Sequence, residues 1–144
     1  MTAAAKTSVE VKRPVAPALW GSDHLSTLLY LESRAVDYEG RLDKRHMRCD
    51  PRRHPGHAHD GTALGSPSPT RLYGGVELPD HDDWDCIDDL EAERLVSDVG
   101  TGLNPRPVLT DRGWNVVHAL RRARARARDV ETVHQALLEA LKAA

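Results

Sequence analysis

Residues 50–79 limit what this chain can fold into more than any other stretch. They read DPRRHPGHAHDGTALGSPSPTRLYGGVELP, with five Pro and five Gly in 30 residues. Proline removes a backbone donor and glycine favours turns, so neither a long helix nor a central strand is expected here. We predict a long loop. A loop of this length inside a small domain is unusual, and such loops are often either functional or disordered.

The charge of the chain is strongly segregated. Its 144 residues suit one domain, and because Phe is absent, aliphatic side chains and three Trp must build the core. The formal net charge of -2 conceals two basic stretches, residues 41–54 and 104–128, on either side of an acidic one, residues 80–98. Such blocks indicate oriented contacts, either within the chain or with a partner.

The sequence also bears on compartment. No stretch approaches the roughly 18 consecutive apolar residues that a membrane span needs, and the first residues lack the apolar core of a signal peptide. The two cysteines, Cys49 and Cys86, do not make a disulfide framework. We therefore expect a cytoplasmic protein with reduced thiols and no membrane contact.

The N-terminal third is expected to contain one helix. Residues 1–18 are rich in Ala, Lys and Pro and are predicted to form a disordered arm. Ser22 is a suitable N-cap, and apolar residues at helical spacing predict a helix over about 23–38, which Gly40 ends. The segment RLDKRHM, residues 41–47, is compatible with a short strand.

Three further elements are expected after the loop. Asp80 should cap an acidic helix with a narrow apolar stripe that includes Trp84 and Leu90. VSDVGTGLNPRPVL predicts a β-hairpin around a Gly/Asn/Pro tip. Thr110 should then cap a helix that continues through Trp114, Val117 and Leu120.

The tail DVETVHQALLEALKAA predicts an amphipathic helix. Its apolar face should pack on the first helix or on a second copy of the chain. That face is formed by Val130, Val133, Leu137, Ala140 and Leu141. The expected fold is mostly α with a small β-hairpin, comprising a single domain over 20–128 and a C-terminal helix over 129–144.

Residues 80–125 contain a run that resembles the second half of a winged-helix domain of the MarR type. The run is WDCIDDLEAERLVSDVGTGLNPRPVLTDRGWNVVHALRR. The matching pieces are a helix ending in DLEAERLV, a Gly-containing wing and an L-T-x-x-G step, Leu109 to Gly113, into the next helix. WGSDHLSTLLYLESRAVDYEG could supply the first helix, whereas the Pro/Gly loop stands where the family has the helix before its recognition helix.

The resemblance implies a winged-helix-like domain, DNA binding in transcription regulation, and a homodimer formed through terminal helices. The chain is also loosely similar to small proteins of actinobacterial phages. That similarity suggests, as an alternative, a phage or mobile-element protein that binds a host protein.

The acidic helix conflicts with DNA reading. A winged-helix recognition helix enters the major groove and presents Arg, Lys, Asn or Gln to the bases. Phosphates repel the carboxylates that this helix offers instead. We consider three alternatives: a solvated face, an internal contact with the Arg-rich helix, or docking on a basic partner protein. The candidate protein-binding residues are Asp85, Asp88, Asp89 and Glu91.

A zinc site is a further hypothesis. Imidazole and thiolate are the ligands that zinc prefers, and a tetrahedral site often takes two ligands from each of two segments. A metal would also explain how a Pro/Gly loop stays ordered. The candidate ligands are His46 and Cys49 in one half and His81 and Cys86 in the other. This spacing matches no established zinc-finger pattern, and no other cofactor is expected.

The run RRARARARD could contact phosphate. In a helix, residues two apart are separated by about 200° around the axis, so these arginines cannot all face a core. Either they are solvated or they bind a nucleic-acid backbone together with arginines of the wing and the loop. The candidates are Arg52, Arg53, Arg106, Arg121, Arg122, Arg124, Arg126 and Arg128.

The function that we expect from these features is a non-enzymatic regulatory or adaptor protein. It would contact nucleic acid through the Arg-rich helix and the wing. The sequence contains no phosphate-binding Gly loop, HExxH helix or nucleophile motif that would indicate an enzyme.

Overall fold

The computed structural model describes residues 11–58, 69–101, 105–127 and 129–144. Within these residues the chain forms four α-helices and two small antiparallel hairpins. The helices are α1 (Ser22–Tyr38), α2 (Asp83–Ala92), α3 (Asp111–Arg126) and α4 (Val130–Ala143). The strands are β1 (Thr70–Arg71), β2 (Glu77–Leu78), β3 (Val96–Asp98) and β4 (Pro107–Leu109). The prediction of a mostly α chain with a β-hairpin is confirmed.

Helix α1 ends as predicted but begins differently. Glu39 and Gly40 both adopt positive φ and terminate it. The N-cap is Gly21 rather than Ser22. A Cβ at Gly21 would lie 2.3 Å from the carbonyl oxygen of Arg71, so only glycine lets the start of α1 approach β1 this closely.

Helix α2 begins two residues later than predicted. Asp80 has φ +53 and does not cap it. Asp82 is the N-cap, and its carboxylate accepts from the amide of Asp85, whose own carboxylate accepts from the amide of Asp82. This reciprocal pair satisfies two of the backbone donors that a helix start leaves open. Trp84 and Leu90 face the core as expected.

The Pro/Gly loop contains structure that the sequence did not predict. Strands β1 and β2 pair antiparallel, Thr70 opposite Leu78, across a turn in which Gly74 has φ +81. The loop also contains a single turn of 3-10 helix at Pro55–His57. Before the loop, another such turn at Lys44–His46 replaces the short strand expected over 41–47.

The one hairpin that the sequence predicted is the second of the two in the structure, and it is confirmed. Strands β3 and β4 pair with Val96 opposite Leu109 and Asp98 opposite Pro107. The hydroxyl of Thr110 then accepts from the amide of Gly113 and caps α3. A Cβ at Gly113 would lie 2.1 Å from the carbonyl oxygen of Leu95, so the glycine of the L-T-x-x-G step allows α3 to pack against the entry to β3.

Helix α4 is amphipathic as predicted, but it packs mainly on α3, not on α1. Its buried apolar side chains are Val133, Leu137 and Leu141, whereas Val130 is 66% exposed. The helix thus finds apolar cover within the same chain, and the homodimer stays a prediction.

The predicted disordered arm is too long at its C-terminal end. Val15 is buried, its amide donates to Asp89, and its carbonyl accepts from the indole of Trp20 at 2.9 Å. Residues 1–10 of the predicted arm lie outside the described residues. None of the described helices combines the length and apolar character needed to cross a membrane.

Candidate functional site

The acids of α2 are bonded by the basic loop that precedes it. Two arginines and one histidine of residues 48–54 contact three carboxylates at the start of the helix. The pairs are Arg48 with Asp83 at 2.8 Å, His54 with Asp82 at 2.8 Å, and Arg53 with Asp85. These carboxylates were expected to face solvent or the arginines after residue 120. They do neither, because the loop folds back over the helix start.

This cover closes most of α2 to a partner. Six of its ten residues are buried, among them Asp85 and Asp89, while Asp88 and Glu91 remain exposed. Asp88 is exposed overall, yet partial desolvation and the neighbouring carboxylates raise its pKa. The loop covers the start of α2, and only two of the four predicted protein-binding acids, Asp88 and Glu91, remain exposed.

The most deeply buried polar cluster joins α1 and α2. Asp89 Oδ2 lies 2.7 Å from His24 Nε2 and 2.9 Å from His81 Nε2. All three side chains are at most 3% exposed. His24 is on the first turn of α1 with its ring stacked parallel to that of Trp20, and His81 lies just before α2. Buried polar groups are costly unless they are bonded, so this cluster is a specific feature of the core.

The outer contacts of the cluster fix its orientation. Asp89 Oδ1 accepts from the backbone amide of Val15 at 2.9 Å. His81 Nδ1 lies 2.9 Å from the hydroxyl of Thr70, which donates to the carbonyl of His81 at 2.6 Å and also accepts from Arg48. The β1 strand thus positions Thr70 against the ring of His81.

Burial acts in opposite directions on the pKa values of Asp89 and His24. Desolvation lowers the pKa of His24, and its hydrogen bond to Asp89 only partly opposes the effect. Desolvation also acts to raise the pKa of Asp89, but hydrogen bonds from His24, His81 and the Val15 amide outweigh it, so that pKa falls below its ordinary value. Asp89 is therefore ionised at neutral pH.

A cleft leads to the cluster from the surface. It has a volume of about 350 Å³, and His81 and Asp89 form part of its wall. The rest of the wall is formed by Arg13, Pro14 and two residues of α2, Asp85 and Asp88. A small polar ligand or a cation therefore has a route to the buried carboxylate.

A second group of ligand-type atoms involves His54, Asp82 and Asp85. His54 Nδ1 is 2.8 Å from Asp82, whereas its Nε2 is 3.9 Å from Asp85. The two ring nitrogens of His54 face different carboxylates, so the imidazole bridges Asp82 and Asp85. Only one of these nitrogens could bind a given metal ion. Arg53 moreover occupies both oxygens of Asp85. This group is already neutralised by side chains of the chain.

The four predicted zinc ligands do not converge: Cys86 Sγ lies 3.9 Å from His81 Nδ1, but His46 and Cys49 have other partners. The side chain of His46 is 62% exposed beside Asp43, and the thiol of Cys49 donates to the carbonyl of His54. Burial raises the pKa of Cys49 to about 11 and raises that of Cys86 as well, so both are protonated thiols rather than thiolates. Of the predicted set only His81 takes part in a convergent group.

The predicted phosphate-binding arginines divide into two groups. One group is held within the chain: Arg52 by Asp50, Arg53 by Asp85, Arg106 by the carbonyl of Glu39, and Arg121 by Glu32. The other group is exposed and forms no ion pair or hydrogen bond with a described residue: Arg122, Arg124 and Arg126. Arg128 lies outside the described residues.

His24 and Thr70 were missed by sequence reasoning, although His24 had a local signal. It stands four and seven positions before Leu28 and Leu31, which places it on the buried face of α1. Thr70 gave no such signal, since its role depends on the unpredicted β1–β2 hairpin.

Comparison with known proteins adds no assignment. No protein-family model matches the chain, and no match to a curated protein or to a solved structure was found.

Proposed function

We propose that this chain is a non-enzymatic regulatory or adaptor protein that contacts the phosphate backbone of nucleic acid. The contact surface is formed by three exposed arginines near the end of α3: Arg122, Arg124 and Arg126. The observation that carries the proposal is that these three are exposed without an internal partner among the described residues, whereas neighbouring Arg121 is paired with Glu32.

The surroundings of Arg124 support an anion partner. Arg124 shares a cleft of about 190 Å³ with Ser22 and Ser26 of α1 and with Tyr73. Gly21 at the start of α1 also lines this cleft. Arginine and hydroxyl groups bind phosphate oxygens.

The distribution of acids favours the Arg122–Arg124 part of this surface. Arg126 borders a shallow cleft that also contains Glu131 and Glu139, which weaken its local positive potential. Arg106 on the wing is bonded to a carbonyl rather than to an acid. It precedes α3, whose first residue lies about 20 Å from Arg124 at 1.5 Å per residue.

The winged-helix relationship is part of the proposal. The order of α1, α2, the β3–β4 hairpin and α3 agrees with it, but α2 is covered by the loop and lined with acids. We therefore propose backbone contacts without base reading by α2. Such binding would be largely independent of sequence and strongly dependent on salt.

Fluorescence anisotropy with a labelled random-sequence duplex and with a labelled single strand, each over a range of salt concentrations, tests the proposal. The double variant Arg122→Gln/Arg124→Gln should weaken binding and reduce the slope of log K against log salt by about 2, since roughly one counterion is released per phosphate contact. The matched control Arg45→Gln/Arg52→Gln removes two arginines that are already paired with Asp43 and Asp50. It should bind like the wild type. Wild-type protein that binds neither probe at low salt, or equal losses in both double variants, would overturn the proposal.

A further inference from the structure

The cluster of His24, His81 and Asp89 brings three ligand atoms to one point. His24 Nε2, His81 Nε2 and Asp89 Oδ2 lie within 4.8 Å of one another, and the oxygen is 2.7 and 2.9 Å from the two nitrogens. Ligands at about 2.0–2.1 Å from a metal are about 2.9 Å apart when they meet at right angles, as in an octahedral site, and about 3.3 Å apart in a tetrahedral one. The observed spacing therefore suits a shared cation with octahedral angles.

The hydroxyl of Thr70 fixes the proton on one of the two imidazoles. A carbonyl can only accept a hydrogen bond, so the Thr70 hydroxyl donates its single hydrogen to the carbonyl of His81 at 2.6 Å. The hydroxyl oxygen must then accept from His81 Nδ1, which lies 2.9 Å away. His81 Nδ1 consequently carries a hydrogen.

This assignment determines what faces Asp89. With the hydrogen on Nδ1, the Nε2 atom of neutral His81 presents a lone pair to a carboxylate oxygen 2.9 Å away. Two lone pairs at that distance repel each other unless a positive charge lies between them. That charge is either a second proton on His81 or a metal ion.

We infer that the positive charge is a divalent first-row transition metal, bound by His24 Nε2, His81 Nε2 and Asp89 Oδ2. Two imidazoles and one carboxylate are a ligand set for Zn²⁺ and Fe²⁺. Metal-bound histidines usually donate their other ring hydrogen to an outer partner, and Thr70 accepts that hydrogen from His81. The amide of Val15 holds Asp89 Oδ1 and leaves Oδ2 for the ion.

The cleft favours a metal over a proton. An ion needs an entry path. The cleft provides one, with His81 and Asp89 in its wall. The exposed carboxylate of Asp88 lies beside them and attracts a cation, whereas that of Asp85 is already paired with Arg53. Water from the cleft completes the coordination, as in open three-ligand sites.

The unpaired ring nitrogen of His24 is compatible with either a metal ion or a proton in the cluster. Its Nδ1 is buried and has no hydrogen-bond partner among the described residues. In the metal-bound form it carries an unbonded hydrogen, and in the protonated form an unbonded lone pair. Both forms have an unsatisfied polar atom at this position.

Titration of metal-stripped, full-length wild-type protein with Co²⁺ tests the inference without depending on any variant. We expect the visible d–d absorption of a nitrogen- and oxygen-ligated Co²⁺ ion, saturation at one ion per chain, displacement by Zn²⁺, and a rise in Tm with either metal. Wild-type protein that gives no saturable Co²⁺ spectrum and no metal-dependent rise in Tm would overturn it, because the cluster would then hold only a proton.

Variants locate the ion. Asp89→Asn keeps the shape but removes the charged ligand, and it should abolish the spectrum. Thr70→Val should weaken Co²⁺ binding by roughly 10–100-fold, as loss of an outer-shell partner does, and Thr70→Ser should restore it. The control His54→Gln disrupts the second cluster, and His46→Gln removes an exposed imidazole. If either control abolishes the spectrum while Asp89→Asn, shown to be folded by circular dichroism, retains it, the assignment of these three ligands is wrong.

Discussion

Arg53, in the Pro/Gly loop, donates to both carboxylate oxygens of Asp85 in the first turn of α2. This contact explains how the densest negative charge of the chain is tolerated. The acids at the start of α2 serve as anchors for the basic loop, and they also stabilise the positive end of the helix dipole. The loop and the helix thus neutralise each other within the chain.

Loss of the Arg53–Asp85 pair should destabilise the fold. The Asp85 side chain is 12% exposed and that of Arg53 is 33% exposed, so removal of Arg53 leaves a partly desolvated charge on Asp85. We expect Arg53→Gln and Asp85→Asn each to lower the free energy of unfolding by about 1–3 kcal/mol, with a clear coupling energy in the double-mutant cycle measured by urea unfolding. Arg45→Gln, which removes an exposed pair with Asp43, should change stability by about 0.5 kcal/mol or less. Additive single effects would show that the two side chains do not interact.

Acid should unfold the protein partly through Asp85. Burial acts to raise its pKa, but the hydrogen bonds from Arg53 and the Asp82 amide hold the pKa below its ordinary value. A carboxyl whose folded pKa is depressed contributes stability above its unfolded pKa, about 3.9, and loses it as pH falls through the folded value. Stability should therefore decline below about pH 4. In Arg53→Gln the pKa of Asp85 loses the lowering effect of Arg53 and keeps that of the Asp82 amide, so the decline should be shallower. Parallel acid limbs for the two proteins, measured by urea unfolding at each pH, would contradict this explanation.

The two cysteines should be unreactive in the folded protein. Burial raises the pKa of Cys49 to about 11 and raises that of Cys86 too. At pH 8 about one Cys49 in a thousand is then a thiolate, and only the thiolate attacks disulfide reagents. Reaction with Ellman's reagent should be slow in buffer and immediate, with two thiols per chain, in denaturant. Cys49→Ser should reduce the final count to one. Rapid modification of either thiol in buffer would mean that its surroundings are more open than the structure shows.

The parts of this fold that were predictable depend on local signals. The β3–β4 hairpin and helices α3 and α4 follow from turn residues, caps and apolar period, which act over a few residues. Strands β1 and β2 have two residues each, and their place depends on the close approach of Gly21 to Arg71, which no local pattern reports.

The candidate site was less predictable than the fold. His24 and Asp89 are 65 positions apart, and only the packing of α1 on α2 joins them. The zinc hypothesis grouped histidines and cysteines that are near in sequence. Helix packing, rather than spacing along the chain, determines which side chains converge, and of that set it brings His81 into the buried group with His24 and Asp89.

Gly113 should not tolerate a side chain. Alanine is normally favoured over glycine inside a helix, by about 1 kcal/mol. Here its Cβ would lie 2.1 Å from the carbonyl oxygen of Leu95, a backbone atom that cannot rotate away. We expect Gly113→Ala to lower the free energy of unfolding by about 1–3 kcal/mol. Asn115→Ala, at an exposed position on the same helix, should be neutral or slightly stabilising. A Gly113→Ala variant as stable as the wild type would mean that α3 does not pack this closely against the start of β3.

The packing of α4 on α3 leads to the last prediction. Leu137 is fully buried on α4, whereas Val130 at the start of the same helix is 66% exposed. Leu137→Ala should lower the free energy of unfolding by about 2–5 kcal/mol, because it removes apolar contacts and leaves a cavity. Val130→Ala should have little effect, since its side chain has few contacts to lose.

The same comparison addresses the predicted homodimer. If α4 packs only within its own chain, the cost of Leu137→Ala is independent of protein concentration, and light scattering gives the same mass for both variants. If a second copy covers α4 instead, the Tm of the wild type rises with concentration, and Leu137→Ala shifts the scattering mass towards that of one chain.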